Sequence, residues 1–205
     1  MKTWRLAIVL ACILGMAGLA SAQSVDAYFG LNALTAAHSP NEPYLGGGAY
    51  LNVGGDLIFF HGLGFGGEAA WRASPMGYFL APSPALPNGF GAPARPVFYD
   101  FDAVWEPLSL PWITPVVEAG IGAASFRFYN QYFTCGAFSG CTDYSSSNHL
   151  MFHLGVAANL YITDHIFIRP MADLYVIRNL GEYFAPGTAR RFGVAIGYTL
   201  RATPF

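Results

Sequence analysis

The last regular segment of the chain, Arg191-Phe-Gly-Val-Ala-Ile-Gly-Tyr-Thr-Leu-Arg201, sets Phe192, Val194, Ile196, Tyr198 and Leu200 against Arg191, Gly193, Ala195, Gly197, Thr199 and Arg201. A period of two puts the large apolar residues on one face of a strand and the small or polar ones on the other. Seven earlier segments repeat the pattern. They run Val25 to Ala33, Gly48 to Phe59, Leu63 to Ala73, Val97 to Glu106, Thr114 to Phe128, Leu150 to Ile162 and Ile166 to Ile177. Leu150 to Ile162 alternates most regularly, with Leu150, Phe152, Leu154, Val156, Ala158, Leu160 and Ile162 opposed to Met151, His153, Gly155, Ala157, Asn159 and Tyr161. Pro115 and Pro170 fall inside predicted strands and each removes a ladder donor, so a bulge or a place near the membrane boundary is expected there.

The predicted connections alternate in length. Short ones lie near His61-Gly62, from Pro107 to Trp112 and from Thr163 to His165; long ones run roughly Thr35 to Gly46, Ser74 to Pro96, Asn130 to Asn148 and Gly181 to Thr188. Short turns at one end and long loops at the other are the asymmetry of transmembrane barrels, whose long loops face outward. Six of the 14 prolines lie between Ser74 and Pro96, which predicts an irregular loop there.

Composition sharpens the picture. Charged residues make up 11% of the chain and hydrophobic residues 54%, against the roughly 25–35% charge that covers a soluble surface. After residue 22 no stretch approaches the roughly 20 apolar residues of a membrane helix. A closed barrel is then the spanning structure that satisfies its own backbone. Residues 1–22 read as a signal peptide: Lys2 and Arg5, an apolar run from Leu6 to Leu19, then Ala20-Ser-Ala22. A lipoprotein box at Val9 to Cys12 would leave that apolar core too short. The expected domain is therefore 23–205, with 8 Arg against 12 acidic residues and no Lys. No basic stripe offers itself to nucleic acid.

Eight acids and four arginines fall on the predicted inward faces: Asp26, Asp56, Glu68, Asp100, Asp102, Glu106, Glu118 and Asp173 with Arg72, Arg169, Arg191 and Arg201. Their simplest reading is an interior network of ion pairs and water, centred on Glu68, Arg72, Asp102, Glu118, Arg169, Asp173, Arg191 and Arg201. Strand direction places Asp26, Asp56, Glu106 and Arg201 near the short-turn mouth, and Arg191 and Arg201 near opposite rims. A gated, cation-favouring path is the sharper alternative; eight strands are normally just wide enough for side chains.

Other motifs weigh less. Gly62-Leu-Gly-Phe-Gly-Gly67 matches a dinucleotide fingerprint but lacks the strand before and helix after that would present amides to a pyrophosphate. His149 and His153, four apart on a strand, stand about 13 Å from each other, too far to share a metal ion. No cofactor or metal is expected. Ser145-Ser-Ser-Asn-His149 gathers hydroxyls and an imidazole, but a hydrolase needs a base and an orienting carboxylate in hydrogen-bond reach. Cys135 and Cys141, in a polar loop of an exported chain, are expected to form a small disulfide.

With its leader, eight alternating strands, short and long connections and terminal Phe205, the chain resembles the small outer-membrane β-barrels of the OmpA/OmpX type. The resemblance implies an all-β, eight-stranded antiparallel up-and-down barrel in the bacterial outer membrane, reached through the periplasm with periplasmic chaperones and the barrel-assembly machinery. It further implies an assembly signal in the last strand, with Arg191, Gly193, Ile196, Tyr198 and Phe205 at the matching positions. The chain runs past Leu200, which separates Phe205 from that strand. The role implied is structural or surface-interacting, through the long loops and against outer-membrane lipid, and not enzymatic. A narrow pore and a lipid-modifying enzyme follow as alternatives.

Overall fold

The computed structural model describes residues 24–36, 47–80, 90–108, 110–136, 140–179 and 187–201; the side chains of 60, 79, 80, 90, 130–136, 140–144 and 201 fall outside that description. Its strands are β1 (Ser24–Ala36), β2 (Gly48–Phe60), β3 (Leu63–Arg72), β4 (Met76–Leu80), β5 (Phe90–Trp105), β6 (Ile113–Gly136), β7 (Gly140–Tyr161), β8 (Ile166–Ile177) and β9 (Thr188–Arg201). Consecutive strands pair antiparallel except β3 and β4, β1 pairs with β9, and β3 pairs with β5, so eight strands close on themselves. The short β4 pairs with β5 alone and lies outside the ring. Closure leaves no sheet edge within the ring, the condition for a strand structure in lipid.

The faces fall as the alternation predicts. Phe101 is 64% exposed and Ile196 59%, and Leu31, Phe65, Leu154 and Val194 join them on the outside. Asp26, Asn52, Glu68, Glu118, Asp173 and Arg191 are buried inside. At the short end the β2–β3 connection is a two-residue turn, and the sequence supplies its chemistry. His61 (φ 48°) and Gly62 (φ 77°) are both left-handed, the pair that a type I′ hairpin requires. A side chain at Gly62 would collide with the carbonyl of Glu106, whose amide donates to the Gly62 carbonyl at 2.7 Å.

Two of the predicted long loops are largely strand. β6 and β7 run on as a hairpin to Gly136 and Gly140, interrupted by a register shift between Tyr129 and Thr134. The span 130–148 carries aromatic and β-branched residues (Tyr132, Phe133, Thr134, Thr142, Tyr144) that favour extended backbone despite their polar neighbours. Likewise 74–96 contains β4 and the start of β5. The pairing of β5 passes from β3 (Trp71 opposite Val97) to β4 (Met76 opposite Ala94), and Pro96 lies opposite that gap. A membrane strand needs about 9–11 residues; β6 has 24 and β7 has 22. One side of the barrel thus rises as a sheet of β4, β5, β6 and β7 beyond the long-connection rim, while β1, β2, β8 and β9 end low.

Neither in-strand proline makes a bulge. Pro115, third in β6, keeps its register with Ala158. At Pro170 the β7–β8 ladder skips Ala158 and Asn159 and resumes in the same register at Leu160 opposite Ile168. The missing donor breaks the pairing there without displacing it. The observed shift on the short-turn side lies instead between Ile58 and Phe60.

Candidate functional site

The barrel interior is stacked in layers. Nearest the short turns, Asp26 accepts hydrogen bonds from Thr199 and, at 3.0 Å, from the Asn159 amide. Phe167 and Tyr161 meet edge to face beside them, and Ile58, Val104 and Val116 form an apolar cluster at the same end.

The middle of the barrel holds two arginine centres. Arg169 of β8 is fully buried, donates to Asp56 Oδ2 of β2 at 2.5 Å and to Glu118 of β6, and lies over the Tyr28 ring of β1 at 4.3 Å. Arg191 of β9 is 1% exposed, pairs with Glu68 of β3, donates to Asp173 Oδ2 of β8 at 2.8 Å and lies over the Tyr175 ring at 5.4 Å. A chain of amides continues the second centre across the barrel: Asn32 donates to Asn52 at 2.8 Å, and Asn52 to Glu68 at 2.7 Å. Inward glycines make room for these long side chains; a Cβ at Gly193 would strike the Asn32 amide.

His153 of β7 joins three carboxylates from two strands, β5 and β8. Its Nδ1 lies 2.9 Å from Asp102 and 3.8 Å from Asp100, and its Nε2 3.2 Å from Asp173. The same imidazole stacks on Tyr175. Its ring nitrogens with the carboxylate oxygens of Asp100 and Asp102, or with those of Glu118 and Asp173, all lie within 4.8 Å of one another, so among the described residues these are the ones that could hold a cation. Toward the long-connection rim an aromatic layer covers the ions. Tyr175 stacks on Phe98, Phe98 meets Tyr50, and Leu34, Phe126, Met151 and Ile177 pack around them. Side chains therefore occupy the interior at every level from Asp26 to Phe126.

Of the residues anticipated as the interior network, Glu68, Asp102, Glu118, Arg169, Asp173 and Arg191 come together. Arg72 does not. It sits at the upper rim, where its guanidinium donates to the carbonyls of Ser74 (2.7 Å) and Gly47 (3.2 Å). Arg191, expected at a rim, lies three residues inside the start of β9 at Thr188 and reaches the second centre; Asp56, expected near the short-turn mouth, stands opposite Asp26 in the register and reaches Arg169. The side chain of Arg201 and the whole of Phe205 lie outside the described residues. Gly193 faces inward, and Ile196 and Tyr198 face out toward lipid. Cys135 stands directly opposite Cys141 in the backbone register, and their side chains lie outside the described residues.

The interior network expected from the sequence leaves out His153, Asn32, Asn52, Tyr28 and Tyr175, His153 being weighed there only with His149. Their inward position was legible from alternation, but their partners come from strands far away in sequence. His149 does not share a site with His153; it bonds Ser147 at 2.9 Å and meets Phe126 edge to face in the upper layer.

No protein-family model matches the chain, and no curated protein does. Among solved structures it resembles Neisserial surface protein A at 10% identity and TM-score 0.53, covering 87% of this chain and 96% of that one. It resembles the outer membrane protein OprG of Pseudomonas aeruginosa at 11% and 0.53, covering 89% and 98%. The attachment invasion locus protein Ail of Yersinia pestis aligns at 10% and 0.51, covering 86% and 97%. At such identities the likeness concerns the fold. That fold is the eight-stranded barrel of small outer-membrane proteins.

Proposed function

We propose that the chain is a closed barrel of the bacterial outer membrane that works at the cell surface through its raised β4–β7 sheet, not through a lumen. The observation that carries this is the β6–β7 hairpin, whose 24- and 22-residue strands are about twice what a bilayer needs. The filled interior supports the same reading, since two buried arginines, six carboxylates and an aromatic layer occupy the space a solute would use. In this reading residues 1–22 are a leader, the last strand carries the assembly signal, and a Cys135–Cys141 disulfide fastens the hairpin tip.

Impermeant labelling of intact cells tests it. A cysteine replacing Ser146 should react with a membrane-impermeant maleimide, and one replacing Thr163 in a short turn should not. Equal labelling of both, or labelling of Thr163→Cys alone, would overturn the orientation.

A second reading, a narrow cation path, is favoured by one observation. Among the described residues, the cationic groups that pair with Asp56, Glu68, Asp100, Asp102, Glu118 and Asp173 are Arg169, Arg191 and His153. Cation-selective conductance abolished by Glu118→Gln would establish it.

A further inference from the structure

On the inward face of the barrel, Glu118 of β6 and Asp173 of β8 flank Gly155 of β7. Glu118 stands opposite Gly155 in one ladder, and Gly155 stands opposite Asp173 in the next. Two carboxylates thus face each other across a residue with no side chain. A Cβ at Gly155 would lie 2.9 Å from Asp173 Oδ1, 3.1 Å from Glu118 Oε2 and 3.1 Å from Cε1 of His153, two positions along the same strand. The room a methyl group would fill is therefore bounded by two acids and an imidazole.

Each of the three groups is held from behind. Glu118 accepts from Arg169 through Oε1, Asp173 accepts from Arg191 through Oδ2 at 2.8 Å, and His153 Nδ1 lies 2.9 Å from Asp102. Left over are Glu118 Oε2, Asp173 Oδ1 and His153 Nε2, on the Gly155 side. Glu118 is 6% exposed, and its Oε2 accepts no hydrogen bond among the described residues. One ligand atom from each of the three residues lies within 4.8 Å of the other two. Atoms bound at about 2.0–2.2 Å to one tetrahedral ion stand about 3.3–3.6 Å apart, close to the 3.2 Å between His153 Nε2 and Asp173 Oδ1. The other side of the ring is built differently. Asp100 stands 3.8 Å from Nδ1, and its Oδ1 is taken by the Glu68 amide at 3.2 Å.

We infer that Glu118 Oε2, His153 Nε2 and Asp173 Oδ1 bind a divalent transition-metal ion of the Zn²⁺ class, in the room that Gly155 leaves. One imidazole and two carboxylates suit such an ion, with water completing the shell. Asp102 fixes the ring as the tautomer protonated at Nδ1, and the two arginines aim the carboxylates, the outer support that metal ligands require. The ion replaces the proton between Nε2 and Asp173, which passes to solvent, and it ties β6, β7 and β8 together at one level. The site depends on the interior register alone, not on which end of the barrel faces outward.

Refolding of the full chain from urea into detergent, with Zn²⁺ or with EDTA, tests it. The folded barrel is then washed with chelator, and its metal is read by elemental mass spectrometry. Wild type refolded with Zn²⁺ should keep about one ion per chain and unfold at a higher urea concentration than the EDTA-refolded protein. Co²⁺ in place of Zn²⁺ should give the visible absorption of a coordinated ion. Glu118→Gln and Gly155→Ala should each lower the retained Zn²⁺ by about tenfold or more, whereas Asp100→Asn and His149→Gln should keep it. Heat-dependent gel mobility confirms that each variant is a folded barrel. A folded wild type that keeps no Zn²⁺, or retention unchanged by Glu118→Gln and Gly155→Ala, overturns the site. Retention lost with Asp100→Asn or His149→Gln but kept with Glu118→Gln overturns its assignment to these three atoms.

Discussion

The two buried arginines are built alike and connected differently. Each comes from one of the last two strands, faces two carboxylates and lies on a tyrosine ring. The carboxylates of Arg169 come from β2 and β6, and its ring from β1. Those of Arg191 come from β3 and β8, and one of them, Asp173, is shared with His153 and through it with Asp102. The Arg191 centre is thus hydrogen-bonded into a network through Asp173 and His153, whereas the Arg169 centre only adjoins that network, its Glu118 lying within 4.8 Å of His153 and Asp173. Burying an ion costs several kcal/mol, and a pair regains that only with good geometry and further hydrogen bonds. The comparison indicates where a lost cation leaves its partners stranded and where a neighbour can take them over.

Arg169→Met should have the largest effect. It strands Asp56 and Glu118 in a sealed interior and should lower stability by about 3–5 kcal/mol, read from urea unfolding of the protein in lipid vesicles. If the Arg169 centre only adjoins the network, adding Asp56→Asn and Glu118→Gln should restore most of the loss. Arg191→Met should cost less, about 2–3 kcal/mol, because Asp173 keeps its hydrogen bond to His153. Equal losses for the two arginines would show that the histidine does not take over. His153→Gln should follow, at about 1–2 kcal/mol, and in the Arg191→Met background its cost should rise. Gly155→Ala should cost least, about 1 kcal/mol. Its Cβ would approach Asp173 Oδ1 at 2.9 Å and Glu118 Oε2 at 3.1 Å, pressing on one carboxylate of each centre.

Much of this architecture is written locally. Strand faces follow from alternation, the β2–β3 turn from His61-Gly62, and the inward acids from their parity with neighbouring glycines. The pairing of the ions is not local. Arg169 meets Asp56 across 113 positions of sequence, a contact fixed by the register of the closed sheet and not by anything near either residue. Arg72 shows the same limit from the other side, for it has the right face but lies one level too high to reach the acids. The raised sheet was hidden for a different reason. The stretch 130–148 lacks in its sequence the apolar-polar alternation that marks the lower strands, and the six prolines of 74–96 obscure β4.

Single-channel recording on the refolded barrel in a planar bilayer tests the central claim most directly, because a side-chain-filled interior and an open path differ in a quantity read one molecule at a time. The account predicts no conductance steps for the wild-type protein across voltage. Steady, cation-selective steps that vanish with Glu118→Gln would contradict it and would make the carboxylate-rich middle of the barrel a conduction path.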